Sequence, residues 1–246
     1  MADMRDGPEE GDAMRRLLSI PPLSLALVAC VAVSSPAQTE PDMSSHFDAA
    51  AVVHTAVVHG DLTGVREPGR WLAEHSPPDL PEGTEAYVAE LQKYARRAAD
   101  ARNLEDAAYA TGRIAQACGA CHREYAGGPV PVLPPAADEG PDLPAHMVRH
   151  AWAVKRMWEG LVVPSDDAWM AGAQALEETP LQPEETLAEN AENAGEVDYL
   201  EKRCHGLGSR AQLVAGPSAR ARIYGELITT CADCHELTGR DVAVVW

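Results

Sequence analysis

Ile114-Ala-Gln-Ala-Cys118-Gly-Ala-Cys121-His122 and Leu227-Ile-Thr-Thr-Cys231-Ala-Asp-Cys234-His235 are the two stretches on which the reading of this chain turns. Each sets an aliphatic residue ahead of a C-x-x-C-H string, and a glycine (Gly112, Gly225) stands at the same distance before the first cysteine of each. The echo continues upstream. Met43-x-x-His46 and Met147-x-x-His150 open the two halves, and each then reaches a glycine (Gly60, Gly160) and a tryptophan (Trp71, Trp169). A duplicated module explains this recurrence.

Working outward, the hydrophobic pattern is helical in both halves. Met43, His46, Phe47, Ala50, His54, Val57 and Val58 recur at three- and four-residue steps, one stripe of an amphipathic helix that stops at Gly60-Asp61. Further helices are expected over 63–75, with Pro68 as a kink or late start, over 85–102, and over 104–125, which carries the first string near its end. The second half repeats this over 145–161, 166–178, 184–214 and 217–236, with Pro217 suited to a first helical turn. Between the halves, residues 129–144 contain six prolines, which forbid a helix and favour an extended connection. The expected architecture is all-α: two tandem antiparallel four-helix bundles, 42–128 and 145–246, joined by that linker.

Composition agrees with helices and narrows the partners. Only 5% of the 246 residues are aromatic, with one Phe, whereas strands favour aromatic and β-branched side chains. There are 20 Lys+Arg against 38 Asp+Glu, a net charge of -18. No basic stripe is available to displace counterions from a nucleic acid, so that class of partner is excluded; a basic protein partner fits.

The first 37 residues read as an export signal. Met14-Arg15-Arg16 precedes an apolar run from Leu17 to Val33, the basic start and short apolar stretch of a secretory leader. Two processing sites are offered. Ser35-Pro36-Ala37 supplies the small residues of ordinary cleavage, and Leu27-Val28-Ala29-Cys30 resembles a lipobox, with Cys30 as the acylated residue. Either places the mature protein outside the cytoplasmic membrane, in the periplasm or held to a membrane by lipid. A spanning helix fits less well, because the run is short and contains Pro21-Pro22.

C-x-x-C-H is the c-type haem attachment string. Cys118 with Cys121, and Cys231 with Cys234, each set two thiols about one helical turn apart, suited to two thioether links to one haem. The adjacent His122 and His235 then serve as proximal iron ligands. With six Cys and nine His in the chain, two such strings do not arise by chance. Zinc would want its second cysteine pair nearer, and a thioredoxin-like dithiol would follow a strand. Cys204-His205 makes no third site, since Glu201 stands where another cysteine is required. Two covalently bound haem c groups are expected.

The strings near the ends of final helices, Ile114–His122 and Leu227–His235, resemble those of class II cytochrome c, the cytochrome c′ type, here as a tandem di-haem chain. That resemblance implies a four-helix bundle per haem and, in some members, a sixth iron ligand from the first helix. His46 and His150 are the residues placed equivalently by the Met-x-x-His pattern; Met43, Met147 and His146 are the alternatives, the last favoured by counting back from the glycines. With both irons six-coordinate, the expected function is an electron-transfer relay between extracytoplasmic redox proteins, not an enzyme. The alternative is a sensor or scavenger that binds gas or peroxide at one five-coordinate haem, with the second half, where Trp152, Met157 and Trp158 crowd the first helix, as its expected place. No catalytic triad, P-loop or metalloprotease string is present. The oligomeric state is left open.

Overall fold

In the computed structural model, residues 43–77, 79–125, 143–177 and 192–239, together with Pro135, are described, and all belong to a single unit, Glu40–Trp246. They contain eight α-helices and no strand. The first half supplies α1 (Met43–Val58), α2 (Leu62–Glu74), α3 (Glu85–Ala99) and α4 (Leu104–Tyr125). The second supplies α5 (Leu143–Val162), α6 (Asp166–Glu177), α7 (Ala194–Leu213) and α8 (Pro217–Thr238). The leader with Cys30, most of the proline-rich linker, residues 184–191 of the expected third helix and the apolar tail Val242–Trp246 lie outside the described residues.

Local chemistry sets the helix ends. The Asp61 carboxylate accepts the Gly64 N–H at 2.8 Å and starts α2, and Asn103 Oδ1 accepts the Asp106 N–H at 2.7 Å to start α4. Pro68 lies within α2 and does not delay its start. α5 begins two residues earlier than the periodicity suggests, with Pro144 in its first turn, where a missing N–H costs nothing. At the other end of the chain, α8 stops at Gly239, which takes a left-handed φ of 62° and donates its N–H to the His235 carbonyl.

Within each half the helices pack in sequence: α1 on α2, α2 on α3, α3 on α4, and likewise α5 on α6, α6 on α7, α7 on α8. α1 also meets α4, and α5 meets α8. The halves are not separate, however. α4 packs along α8 as extensively as along α3, and α4 also touches α5 while α1 touches α8. One continuous core results, including Val53, Val57, Ile114, Met157, Trp169, Leu227 and Ile228. Burying each of these large side chains stabilises the fold by roughly 1.5–3 kcal/mol.

Small residues make the seam between halves possible. At the crossing of α4 and α8, a Cβ on Gly112 would lie 2.4 Å from the Ala221 carbonyl oxygen, and one on Gly225 would lie 3.2 Å from Tyr109 Cα. The two glycines that flank the duplicated strings are therefore the point where the two backbones touch. They meet across a pseudo-two-fold relation, in which each half offers the same patch to the other.

Candidate functional site

The cysteine strings sit on the last turns of α4 and α8. A three-residue step along a helix puts Cys118 and Cys121 on neighbouring positions of one face, and Cys231 and Cys234 likewise. All four are free thiols. Burial, and next the charge of Cys121, pushes the Cys118 thiol up to about 12; Cys234 is pushed up to about 11, again chiefly by burial. Burial thus disfavours the thiolate form of Cys118 and Cys234, unlike the thiol of a reactive dithiol. Among the described residues the cysteines form no metal-binding cluster.

Each motif histidine is held by the opposite half. His122 Nδ1 donates to the Val162 carbonyl at the end of α5, at 2.7 Å, and His235 Nδ1 donates to the Val58 carbonyl at the end of α1, also at 2.7 Å. Those carbonyls are open because the last turn of a helix leaves its acceptors unsatisfied. Donation through Nδ1 fixes the tautomer and leaves Nε2 as the lone-pair nitrogen, the arrangement an iron-binding imidazole requires. Close approach of α5 to the first string depends on Gly119, where a Cβ would fall 2.0 Å from the Leu161 carbonyl oxygen. Of the two residues between Cys118 and Cys121, Gly119 is thus fixed by packing.

The same bonds set the register of the repeat. Superposing Val58 on Val162 superposes Met43 on Met147 and His46 on His150. The register that pairs Gly60 with Gly160, and so His46 with His146, does not follow these bonds.

On the far side of the first string lies a cavity of 330 Å³, bounded by Cys118, Cys121 and His122 from α4, by Met43, His46 and Phe47 from α1, and by apolar residues of α3. Trp158, expected to crowd the first helix of its own half, lines this cavity of the other. His46 is buried, 4.9 Å from the Trp71 ring, with Nε2 donating to the His75 carbonyl at 3.2 Å. Met43 is 47% exposed and lines the same space.

The second half is filled differently. His146 and His150 of α5 and His205 of α7 each present a ligand atom, all within 4.8 Å of one another. Ring centroids of His146 and His150 are 4.2 Å apart, and those of His150 and His205 are 5.1 Å apart. The Nε2 atom of each is buried without a hydrogen-bond partner. Cys204 is buried between His150, whose Nδ1 lies 4.0 Å from its sulfur, and Cys231, to which it is hydrogen-bonded. Burial, followed by the charges of His146, His205 and His235, holds His150 well below the usual imidazole range. Buried polar atoms are nearly always paired, so the unbonded Nε2 atoms of His146 and His150 point to a missing partner, while His205 Nε2 has Glu201 Oε1 3.8 Å away. Free thiols, a motif imidazole with Nε2 available and histidines on the facing helix together fit haem c in both halves.

Comparison with protein-family models, curated proteins and solved structures finds no match.

The sequence reading leaves Cys204 and His205 out of the site, because Glu201 stands where a further attachment string would need its first cysteine. The signal was present in the pattern: Val197, Leu200, Cys204, Leu207, Gly208 and Ala211 form the buried stripe of α7, and His205 is buried beside it. His54 and His75 are packed residues, and His75 Nδ1 donates to the Trp71 carbonyl at 2.8 Å.

Proposed function

We propose that this chain carries two covalently bound haem c groups and relays electrons between redox proteins outside the cytoplasmic membrane, as a tandem member of the class II cytochrome c type with one four-helix bundle per haem. Cys118 and Cys121 hold one group and Cys231 and Cys234 the other, with His122 and His235 as proximal ligands. The observation that carries this reading is the matched pair of Nδ1-to-carbonyl bonds, which turns both motif imidazoles into oriented Nε2 donors. Bound haem c supplies reversible one-electron chemistry at its iron.

The chain's own residues do the rest. Leu91 and Val162 give the first site apolar walls, with Phe47 and Met43 at its exposed rim. His46 and His150, equivalent in the register set by the carbonyls, are the sixth ligands, ahead of Met43, Met147 and His146. The net charge of -18 favours a brief encounter with a basic redox partner, weakened by salt. The sequence of residues 1–37 supports export, with Cys30 as the lipid-bearing residue under the lipobox reading; among the described residues no helix is long and apolar enough to cross a membrane.

A second reading has one observation in its favour. His46 Nε2 faces the His75 carbonyl, and an imidazole kept there would leave the first haem open to a gas or peroxide. On this reading the open position lies in the first half, whereas the sequence expectation puts it in the second.

Intact-mass analysis of protein matured in a host that attaches haem c is expected to give the polypeptide plus two haems; bare polypeptide overturns both readings. Low-spin optical spectra unchanged by CO support the relay. Uptake of CO by half of the haem moves the assignment to the second reading, and His46→Ala against His150→Ala then identifies which half changes.

A further inference from the structure

The second half holds more imidazole than one haem can ligate. Its first helix, α5, carries an H-x-x-x-H pair, His146 and His150, and its third, α7, carries an E-x-x-x-H pair, Glu201 and His205. A four-residue step sets both members of each pair on one helix face. The ligand nitrogens of the three histidines lie within 4.8 Å of one another, and Glu201 Oε1 lies 3.8 Å from His205 Nε2. His146 and His205 are buried.

The repeat does not account for this group. In the register set by the motif imidazoles, His150 corresponds to His46, but His146 corresponds to Asp42. The third helix of the first half, α3, contains no histidine. A sixth iron ligand asks for one imidazole; the other two, and the carboxylate beside them, occur in this half alone.

The donors have the chemistry of a metal site. His205 Nδ1 donates to the Leu176 carbonyl near the end of α6, which leaves the lone pair on Nε2 and fixes the ring, as ligating histidines are commonly held. Burial lowers all three rings: His146 to about 4, His150 well below the usual imidazole range, and His205 despite its bond to Leu176. They are therefore neutral near pH 7. None of the three Nε2 atoms has a hydrogen bond, and buried polar atoms left this way cost free energy until something joins them. A tetrahedral ion spaces its ligand nitrogens by about 3.4 Å, a separation that small side-chain rotations reach from the present span. Glu201 supplies the fourth donor and one negative charge. Nitrogen and carboxylate donors together suit zinc, copper or nickel rather than magnesium or calcium.

We propose that His146, His150 and His205, with Glu201, form a binding site for a divalent transition-metal ion, additional to the two haem sites. His150 Nε2 cannot hold this ion and the second haem iron at once. The ion is therefore bound before haem joins the second string and is released when His150 turns to iron. The site stands on the polypeptide alone; only this exclusion rests on the relay reading above.

The test uses the full chain with Cys231→Ser and Cys234→Ser, so that the second half carries no haem, loaded with Zn²⁺ and then dialysed against ion-free buffer. One retained zinc per chain is expected, with X-ray absorption fine structure showing nitrogen and oxygen neighbours that include imidazole. In that background His146→Gln, His205→Gln and Glu201→Gln should each weaken binding by about 10–100-fold. The absorption spectrum identifies the ligands without any substitution among them, which keeps the test valid should a histidine variant fold poorly. No retained zinc, a shell containing sulfur, or an affinity unchanged in all three variants overturns the site. In the mature chain with both haems, zinc should bind at least about tenfold more weakly; equal affinity overturns the exclusion. Mass analysis of each sample for attached haem tests the relay reading separately.

Discussion

On the side of the cysteine strings the two halves are copies: two free thiols, and an imidazole whose Nδ1 donates at 2.7 Å to the last valine carbonyl of the opposite half's first helix. Facing the strings, they part. The first half has a 330 Å³ cavity with His46 turned to the His75 carbonyl, whereas the second packs His146, His150 and His205 together with orphaned Nε2 atoms. The halves agree at the strings and diverge on the face opposite. If both strings carry haem as proposed, the two groups should differ in reduction potential, because potential follows ligand set and burial.

The largest effect that breaks this comparison comes from the thiols. Cys231→Ser with Cys234→Ser should remove one haem from the intact mass and leave the absorption of the other half in place; Cys118→Ser with Cys121→Ser should do the converse. Loss of both haems from either pair of substitutions would mean that the sites do not mature independently.

The helix pattern was legible because the apolar stripes are long and the stops are strong: Gly60, Pro77 and Pro217 bound their helices as the sequence implies. In the first half, helices adjacent in sequence also pack as neighbours because the connections between them are short. What could not be read was the seam. Gly112 and Gly225 were visible as a repeated pair, but a helical glycine looks the same whether it faces solvent or another backbone. The carbonyls of Val58 and Val162 were equally hidden, because a backbone acceptor has no sequence signature. His205 was passed over since it lacks a partner in the first half, and unpartnered residues are where duplicated modules acquire differences.

A smaller effect sharpens the seam. Gly112→Ala sets a methyl 2.4 Å from the Ala221 oxygen, and should cost about 1–3 kcal/mol in urea unfolding. Gly225→Ala meets its nearest atom at 3.2 Å, and the gain in helix propensity of about 1 kcal/mol offsets much of that contact. Equal losses at the two positions would contradict the unequal crossing.

An effect of similar size lies in the acid limb of stability. His54 titrates at about 3 in the folded chain against 6.5 in an unfolded one, so its contribution is complete above pH 6.5 and is lost as pH falls towards 3. His146, lowered to about 4 by burial first and then by the His205 and Arg149 charges, adds a second part of the same limb that belongs to the second half alone. Unfolding midpoints measured from pH 7 to pH 4 should fall less steeply in His54→Phe than in the parent chain, and an unchanged slope would show that the His54 imidazole does not titrate in this way.

Because each motif imidazole takes its orientation from a carbonyl of the other half, a fragment severed at residues 129–144 would lack the acceptor its own histidine needs. Neither half is then complete by itself. Under the proposed reading, maturation of either haem is tied to synthesis of the whole chain.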